Sequence, residues 1–228
     1  MITYTFLAII IVFSIVCLNN RTAMNKYMFH PYSIHHFNEH YRFLTHAFIH
    51  GDYFHLLFNC LALFSIGLNL EEHAFPNIIA GHDAEGFQIL PSPDNVRLAK
   101  IWYLILFTGG IYAASITEYL RHKNNQEYSS LGASGAISSI MFCWIIVQPK
   151  GKLSFFFLPQ MPGWLIGILL LGISFYLIRR KRTSDYTDNV SHESHFWGAI
   201  FGIVFILIVK PSVFAPFFNH ILTSIGIH

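Results

Sequence analysis

Hydrophobic and charged positions are sharply separated along the chain. Six long stretches contain no Asp, Glu, Lys or Arg: residues 1–20, 53–70, 101–117, 128–149, 153–178 and 194–209. A helix needs about 20 apolar residues to cross the hydrocarbon core of a bilayer. The pattern therefore predicts an all-α integral membrane protein, a bundle of six spanning helices at about 2–19, 53–70, 101–118, 132–149, 162–179 and 194–210.

The two ends of the chain need separate interpretation. The first stretch has no basic residue before Arg21 and no small-residue cleavage signature, so we expect a mature helix and not a signal peptide. Residues 211–228 are uncharged, but Pro211, Pro216 and Asn219 interrupt them. This interruption predicts an interfacial tail and not a seventh span. Residues 1–228 are thus expected to form a single polytopic membrane domain.

Composition supports a membrane location. Hydrophobic residues make up 54% of the chain and charged residues 11%, whereas soluble domains carry about 25% charged residues. A net charge of +2 is too small to indicate a nucleic-acid partner. Cys17, Cys60 and Cys143 all lie in apolar stretches, so we interpret them as buried hydrophobic residues and not as disulfide partners or metal ligands.

Polar residues inside the apolar stretches are candidates for function, because each is costly to hold in lipid. In the second stretch, His55 and Asn59 are four residues apart and therefore share one helix face. Two hydrogen-bond donors stacked in this way can hold a developing oxyanion. The alternative is that they only join neighbouring helices through hydrogen bonds.

The fourth stretch opens with Gly132, Ala133, Ser134 and Gly135. This Gly-x-Ser-Gly sequence predicts a serine on a tight backbone where a substrate can approach closely. A helix that begins here would direct free N–H groups and its positive dipole end towards a nearby anion. Small residues at a helix–helix contact would also explain the pattern.

The sixth stretch carries His195, Gly198 and Gly202 on one helix face. The Gly198-x-x-x-Gly202 spacing allows a neighbouring helix to approach closely, so that His195 can reach a side chain on that helix. A buried histidine with satisfied hydrogen bonds is the alternative. Taken together, the three stretches supply a nucleophile, a base and oxyanion donors, which are the groups that acyl transfer requires.

These residues resemble the rhomboid family of intramembrane serine proteases, over most of the chain from Tyr41-Arg42 to Gly202. The resemblance implies Ser134 as nucleophile and His195 as general base. It also implies His55, Asn59 and the Ser134 backbone N–H as oxyanion donors. Supporting roles are implied for Gly132, Gly135, Gly198, Gly202, His46, His50 and Arg42. The expected substrates are membrane proteins with a transmembrane helix, cut in or near that helix, without a cofactor.

Two positions depart from the family pattern. Tyr41 stands where a tryptophan usually precedes the arginine, and Ser138 stands where many members have a ring that packs on the histidine. Phe142 or Trp197 could supply another ring. No acidic residue is obviously a third member of the catalytic group. Asp188 and Glu193 lie in the loop before His195, and Asp52 lies near the start of the second stretch. We therefore expect a Ser-His dyad.

Orientation is ambiguous. The first, third and fifth loops hold nine of the 14 Lys and Arg residues, which predicts an external N-terminus by the positive-inside rule. The family resemblance implies the opposite, a cytoplasmic N-terminus and a site that opens to the outside. Following the resemblance, we expect a multi-pass protein of a bacterial inner membrane with an extracytoplasmic site.

Two other functions fit parts of the pattern. An inactive relative would bind membrane proteins without cutting them, but such proteins typically lack the serine or the histidine. A zinc-dependent hydrolase could use His46, His50, His55 and His195, although His192-Glu-Ser-His195 is one residue short of the H-E-x-x-H motif. We therefore expect no metal. Residues 71–100 carry no chemistry that we can assign.

Overall fold

The computed structural model describes residues 1–154, 159–183 and 191–227, so that Asp188 lies outside the described part. Its helices, in chain order, are α1 (Ile2–Leu18), α2 (Arg21–Tyr27), α3 (Pro31–Phe37), α4 (Arg42–Thr45), α5 (Tyr53–Ala80), α6 (Pro93–His122), α7 (Ser134–Val147), α8 (Gly163–Thr183), α9 (His192–Val209) and α10 (Phe214–Ser224). Short 3₁₀ turns follow α4 (His46–Phe48) and precede α10 (Pro211–Val213). Strands β1 (Lys152–Leu153) and β2 (Met161–Pro162) form a small antiparallel ribbon.

Six of these helices correspond to the six apolar stretches. Among the described residues, four of them are long and apolar enough to cross a membrane, namely α5, α6, α8 up to Arg180, and α9. Helices α1 and α7 are apolar but shorter, with 17 and 14 residues. The chain is thus a mostly helical integral membrane protein. That all six apolar helices cross the membrane remains a prediction.

Helix α5 continues past the predicted limit at residue 70 as far as Ala80, with two π-helical segments on the way, Leu63–Gly67 and Leu70–Ala74. The reason is Glu71, which is completely buried. Its carboxylate accepts hydrogen bonds from the backbone N–H groups of Ile2 and Thr3, at 2.7 and 2.8 Å, and from the Thr3 hydroxyl. An acidic side chain that satisfies the first free N–H groups of α1 is compatible with a buried helix.

Helix α7 lies at the centre of the bundle. Every residue of α7 except Ser134 and Met141 is buried. Helix α9 packs against it without intervening side chains, because a Cβ atom on Gly198 would overlap the Gly135 carbonyl group and one on Gly202 would overlap the Ser139 carbonyl group. Small residues let two helix backbones approach closely. This contact fixes the start of α9 beside the start of α7.

The C-terminal residues form helix α10, which has no buried residue. Its Phe214 and Phe217 pack against the edge of the hydrophobic core. An interfacial position for this tail remains a prediction.

Candidate active site

A cavity of about 340 Å³ opens among the starts of α5, α7 and α9. Its lining includes Ser134, His195, His55 and Asn59, which come from three different helices. The four side chains that the sequence singled out for acyl transfer thus face one common space. Asp52, which caps α5 by accepting a 2.7 Å hydrogen bond from the His55 N–H, also lines this cavity.

Ser134 is the first residue of α7 and is half-buried. The N–H groups in the first turn of a helix have no partner within the helix, and they lie at its positive dipole end. The Ser134 hydroxyl therefore stands beside backbone donors that can stabilise negative charge.

The close contact between α7 and α9 brings Ser134 and His195 to the same end of the two helices. Gly135, next to Ser134, meets Gly198, which lies one turn after His195. Within the described residues, no hydrogen bond joins the Ser134 hydroxyl to the His195 ring. Such bonds are often long in enzymes without substrate and shorten when the substrate binds.

Gly132 shapes the loop before the serine. Its φ of +116° lies in the region that favours glycine, and a Cβ atom there would come within 2.7 Å of the His55 ring. The Gly132 N–H donates a 2.9 Å hydrogen bond to the His46 carbonyl group. Because Gly132 has no side chain, His55 can pack directly against the loop that leads to Ser134.

His50 is completely buried and joins three segments. The Ser14 hydroxyl donates to the Phe48 carbonyl group, so its oxygen accepts from the His50 Nδ1–H at 2.9 Å. His50 Nε2 accepts a long hydrogen bond of 3.4 Å from the Ala133 N–H. Burial lowers the pKa of His50 to about 3, so the ring is neutral and its Nε2 can accept from the residue before Ser134.

Arg42 holds the first loop together. Its guanidinium group donates to the carboxylate of Glu39 and to the carbonyl groups of Asn25 and Met28, the last two at 2.9 and 2.8 Å. The carbonyl group of Arg42 is hydrogen-bonded to His46 Nδ1 at 2.9 Å. These contacts of Arg42 stabilise the fold of the first loop.

Asn59 is buried and uses one of its amide hydrogens within its own helix, donating to the His55 carbonyl group at 2.8 Å. Its amide has a second hydrogen available towards the cavity. His55 lies beside His50, with ring centroids 4.8 Å apart and ring planes close to perpendicular. The two proposed oxyanion donors are therefore held in place by neighbouring groups.

Ser138 leaves space beside His195. A second cavity of about 60 Å³ lies between α7, α8 and α9, and its lining includes Ser138, Ser174, Phe142 and His195. Phe142 thus reaches the edge of this space, whereas Trp197 is 37% exposed. The short serine side chain does not fill the space that an aromatic ring would occupy.

Glu118 is the residue of this region that the sequence pattern did not reveal. Glu118 follows directly on the charge-free stretch 101–117 and is the last residue of the predicted third span, but α6 continues to His122 and Glu118 is completely buried. Its carboxylate accepts hydrogen bonds from Ser130, Ser191 and Ser194. An acidic residue directly after an apolar stretch is typical of a helix end at the membrane surface, so the local sequence gives no signal of such burial.

The residues proposed as zinc ligands do not form a metal site. In the described ranges, no three His, Cys, Asp or Glu side chains are close enough together to hold one ion. His46 is turned towards the Arg42 carbonyl group and His50 towards Ser14, so both are engaged in the fold. This geometry gives the zinc alternative no support.

Comparison with known proteins identifies the family. The sequence profile described as Rhomboid domain matches residues 38–212. The chain belongs to the rhomboid family. Among curated proteins, this rhomboid protein is similar to RHOMBOID-like protein 12, mitochondrial, from Arabidopsis thaliana, with 24% identity over 156 residues. The predicted membership of the rhomboid family is therefore confirmed.

The match to the Arabidopsis protein covers 68% of this chain but only 42% of that protein. The chain thus spans less than half of the length of this relative. Since the relative is distant and much of it lies outside the match, it does not establish activity, substrates or partners for this rhomboid protein.

Proposed function

We propose that this rhomboid protein is an intramembrane serine endopeptidase that cuts membrane proteins in or near their transmembrane helix. The observation that carries the proposal is the shared cavity, which Ser134, His195, His55 and Asn59 all line. Hydrolysis of a peptide bond by a serine requires a hydroxyl group, a base and hydrogen-bond donors around one space. Here Ser134 would supply the hydroxyl group and His195 the base, with His55 and Asn59 as the donors.

In this mechanism His195 takes the proton of the Ser134 hydroxyl as the oxygen attacks the scissile carbonyl carbon. The tetrahedral intermediate collapses when the C–N bond breaks, and His195 gives the proton to the leaving amine. Water, deprotonated by His195, then attacks the acyl-enzyme ester and releases Ser134. Both half-reactions use the same base, so a dyad is sufficient.

His55, Asn59 and the Ser134 N–H would stabilise the oxyanion in both tetrahedral intermediates. One such donor typically contributes about 2.7–4 kcal/mol to the stability of the transition state. Asn59 has its second amide hydrogen for this role, because the first is bound to the His55 carbonyl group.

The length of α7 supports a site below the membrane surface. Its 14 residues rise about 21 Å, which is less than the roughly 30 Å of a hydrocarbon core. A substrate that reaches Ser134 must expose a carbonyl group that its own helix would otherwise bind. Segments with Gly or Pro unwind most easily, so we propose such segments as the preferred cleavage sites.

We further propose that all six apolar helices cross the bilayer, with α1 and the central α7 as the two short members. The cavity would then open to one side of the membrane, and lipid would surround the bundle. The relative is named as a mitochondrial protein, so the comparisons do not support a bacterial inner membrane, and we propose no particular membrane.

The direct test is cleavage of a model single-span protein by the purified wild type and by Ser134→Ala, in liposomes. We expect product only with the wild type, covalent labelling of Ser134 by a fluorophosphonate, and no effect of a chelator on either. Cleavage by both proteins would show that Ser134 is not the nucleophile, and inhibition by the chelator would favour metal-dependent hydrolysis.

A client-binding protein without activity is the second candidate, and the unfilled space beside His195 favours it. A loosely held imidazole would be a poor base, whereas the cavity could still hold an unwound segment of a membrane protein. Stable co-purification of the model substrate with the wild type, without cleavage or labelling of Ser134, would identify this function.

A further inference from the structure

Glu118 lies behind the wall of the cavity, on the last turns of α6. Its side chain is completely buried, yet three serine hydroxyl groups converge on its two oxygens. Ser130 donates to Oε2 at 2.8 Å, Ser194 donates to Oε1 at 2.7 Å, and Ser191 also donates to Oε1. A buried carboxylate is costly unless hydrogen bonds satisfy it, and these donors satisfy it on both oxygens.

The three donors belong to the two segments that carry the proposed catalytic groups. Ser130 lies in the loop that leads into Ser134. Ser191 caps α9, and Ser194 precedes His195 directly. All three serines also line the cavity. One carboxylate therefore links the approach to the nucleophile with the first turn of the helix that bears the base.

Neighbouring contacts strengthen the same junction. Arg121, one turn after Glu118, forms a 2.6 Å ion pair with Glu193 in the first turn of α9. The backbone of Ser130 pairs with Phe29 in both directions, at 2.9 and 3.0 Å. The Tyr128 phenol lies against Glu118, and burial, followed by the charge of that carboxylate, raises the pKa of Tyr128 so that it stays a neutral donor.

We propose that Glu118 is a positioning residue, which sets the distance and orientation between Ser134 and His195 by holding the 128–133 loop and the first turn of α9 to α6. The inference rests on the proposed protease function for its kinetic consequence. Its structural consequence, that one carboxylate fixes two segments at once, does not depend on catalysis.

Two variants test the proposal with a matched control. Glu118→Gln keeps the size of the side chain but replaces one acceptor oxygen with an amide NH2 group, and Ser194→Ala removes one donor. Glu71→Gln is the control, because Glu71 is an equally buried carboxylate that accepts from a threonine hydroxyl but holds α1 instead. The readouts are amide hydrogen exchange and the separate values of kcat and KM.

In Glu118→Gln we expect faster exchange in both residues 128–133 and 191–195, whereas Glu71→Gln should affect residues 2–5 alone. Because a displacement of about 1 Å can cost about 10²-fold in rate, kcat should fall by about 10–100-fold with KM within about twofold. The loss of kcat in the double variant Glu118→Gln/Ser194→Ala should be smaller than the product of the two single losses, since both changes weaken the same contact.

Unchanged exchange in either segment would overturn the proposal, and so would a loss of kcat in Glu71→Gln equal to that in Glu118→Gln, because the effect would then be general destabilisation. If the wild type cleaves nothing, the protease function fails, but the exchange pattern still decides whether Glu118 holds both segments. If Glu118→Gln does not fold, Ser194→Ala must show faster exchange in residues 191–195 and a lower kcat, or the proposal is wrong.

Discussion

The hydrogen-bond donors Asn59 and His55 in the cavity are both held in place by neighbouring groups. Asn59 is buried and anchored to the His55 carbonyl group, and His55 is packed against Gly132, where no side chain intervenes. Anchored donors cost no reorganisation when charge develops, which is why oxyanion stabilisation is usually a large contribution to catalysis. We therefore expect the Asn59 amide to be in position for the transition state of the proposed reaction.

Asn59→Ala should slow cleavage by about 10²–10³-fold, because one oxyanion donor is lost while the substrate still binds. The effect should appear in kcat measured with the model single-span substrate in liposomes. Ser65→Ala is a suitable control, since Ser65 is a polar residue of the same helix that donates only to backbone carbonyl groups. An equal loss in both variants would indicate damage to α5 rather than loss of a donor.

The size of the side chain at Ser138 is expected to decide how firmly the His195 ring is held. In Ser138→Phe the ring should occupy the space beside His195 and hold the imidazole. Filling a void at least as large as a methyl group recovers about 1 kcal/mol, which corresponds to a rise of about 2–4 °C in Tm for a protein of this size. We expect both Tm and kcat to increase.

Ser138→Ala is the control, because it removes the hydroxyl group and leaves the space empty, so neither value should rise. A lower Tm in Ser138→Phe than in the wild type would mean that the space is too small for a ring. Thermal unfolding in detergent and the liposome assay provide the two measurements.

At the scale of elements, hydropathy predicts the six apolar helices. It does not predict that acidic residues at the ends of the apolar stretches are buried inside the bundle. Glu71 and Glu118 both marked the ends of apolar stretches, because a charge in lipid is costly. Glu71 accepts hydrogen bonds from the start of α1, and Glu118 accepts them from serines of two distant segments. These partners allow both carboxylates to be buried inside the protein. Such partners are remote in sequence and no local pattern reveals them.

The close contact between helices α7 and α9 is expected to set the distance between Ser134 and His195. In Gly198→Ala the added methyl group would overlap the Gly135 carbonyl group, and overpacking of this kind costs about 1–3 kcal/mol. Since His195 lies one turn away, the same shift should lower kcat by about 10²-fold. Gly172→Ala is a matched change on α8, where a Cβ meets nothing within 4 Å.

Gly172→Ala should keep full activity and lose no stability, because alanine favours a helix more than glycine does. The free energy of unfolding and kcat of the two alanine variants are measured together. If Gly198→Ala retains the wild-type kcat, the close approach of α7 and α9 does not set the distance between Ser134 and His195.

At the scale of the whole molecule, the buried neutral His50 couples the fold to pH. Burial, followed by the charge of the neighbouring His55, lowers its pKa from 6.5 to about 3, although Asp52 opposes the shift. The unfolded chain therefore binds more protons than the folded one between these two values, so folding stability rises with pH in this window. The contribution of His50 is present above pH 6.5 and is lost progressively as the pH falls towards 3.

We expect Tm of the wild type to fall as the pH is lowered from 7.5 to 4.5, and to fall less steeply in His50→Asn, because an amide does not titrate. His50→Asn should be less stable at pH 7.5, since the hydrogen bonds to Ser14 and Ala133 are altered, and this difference should shrink in acid. Thermal unfolding in one detergent across this pH range gives both slopes. Parallel slopes would show that protonation of His50 does not limit the acid stability of the bundle.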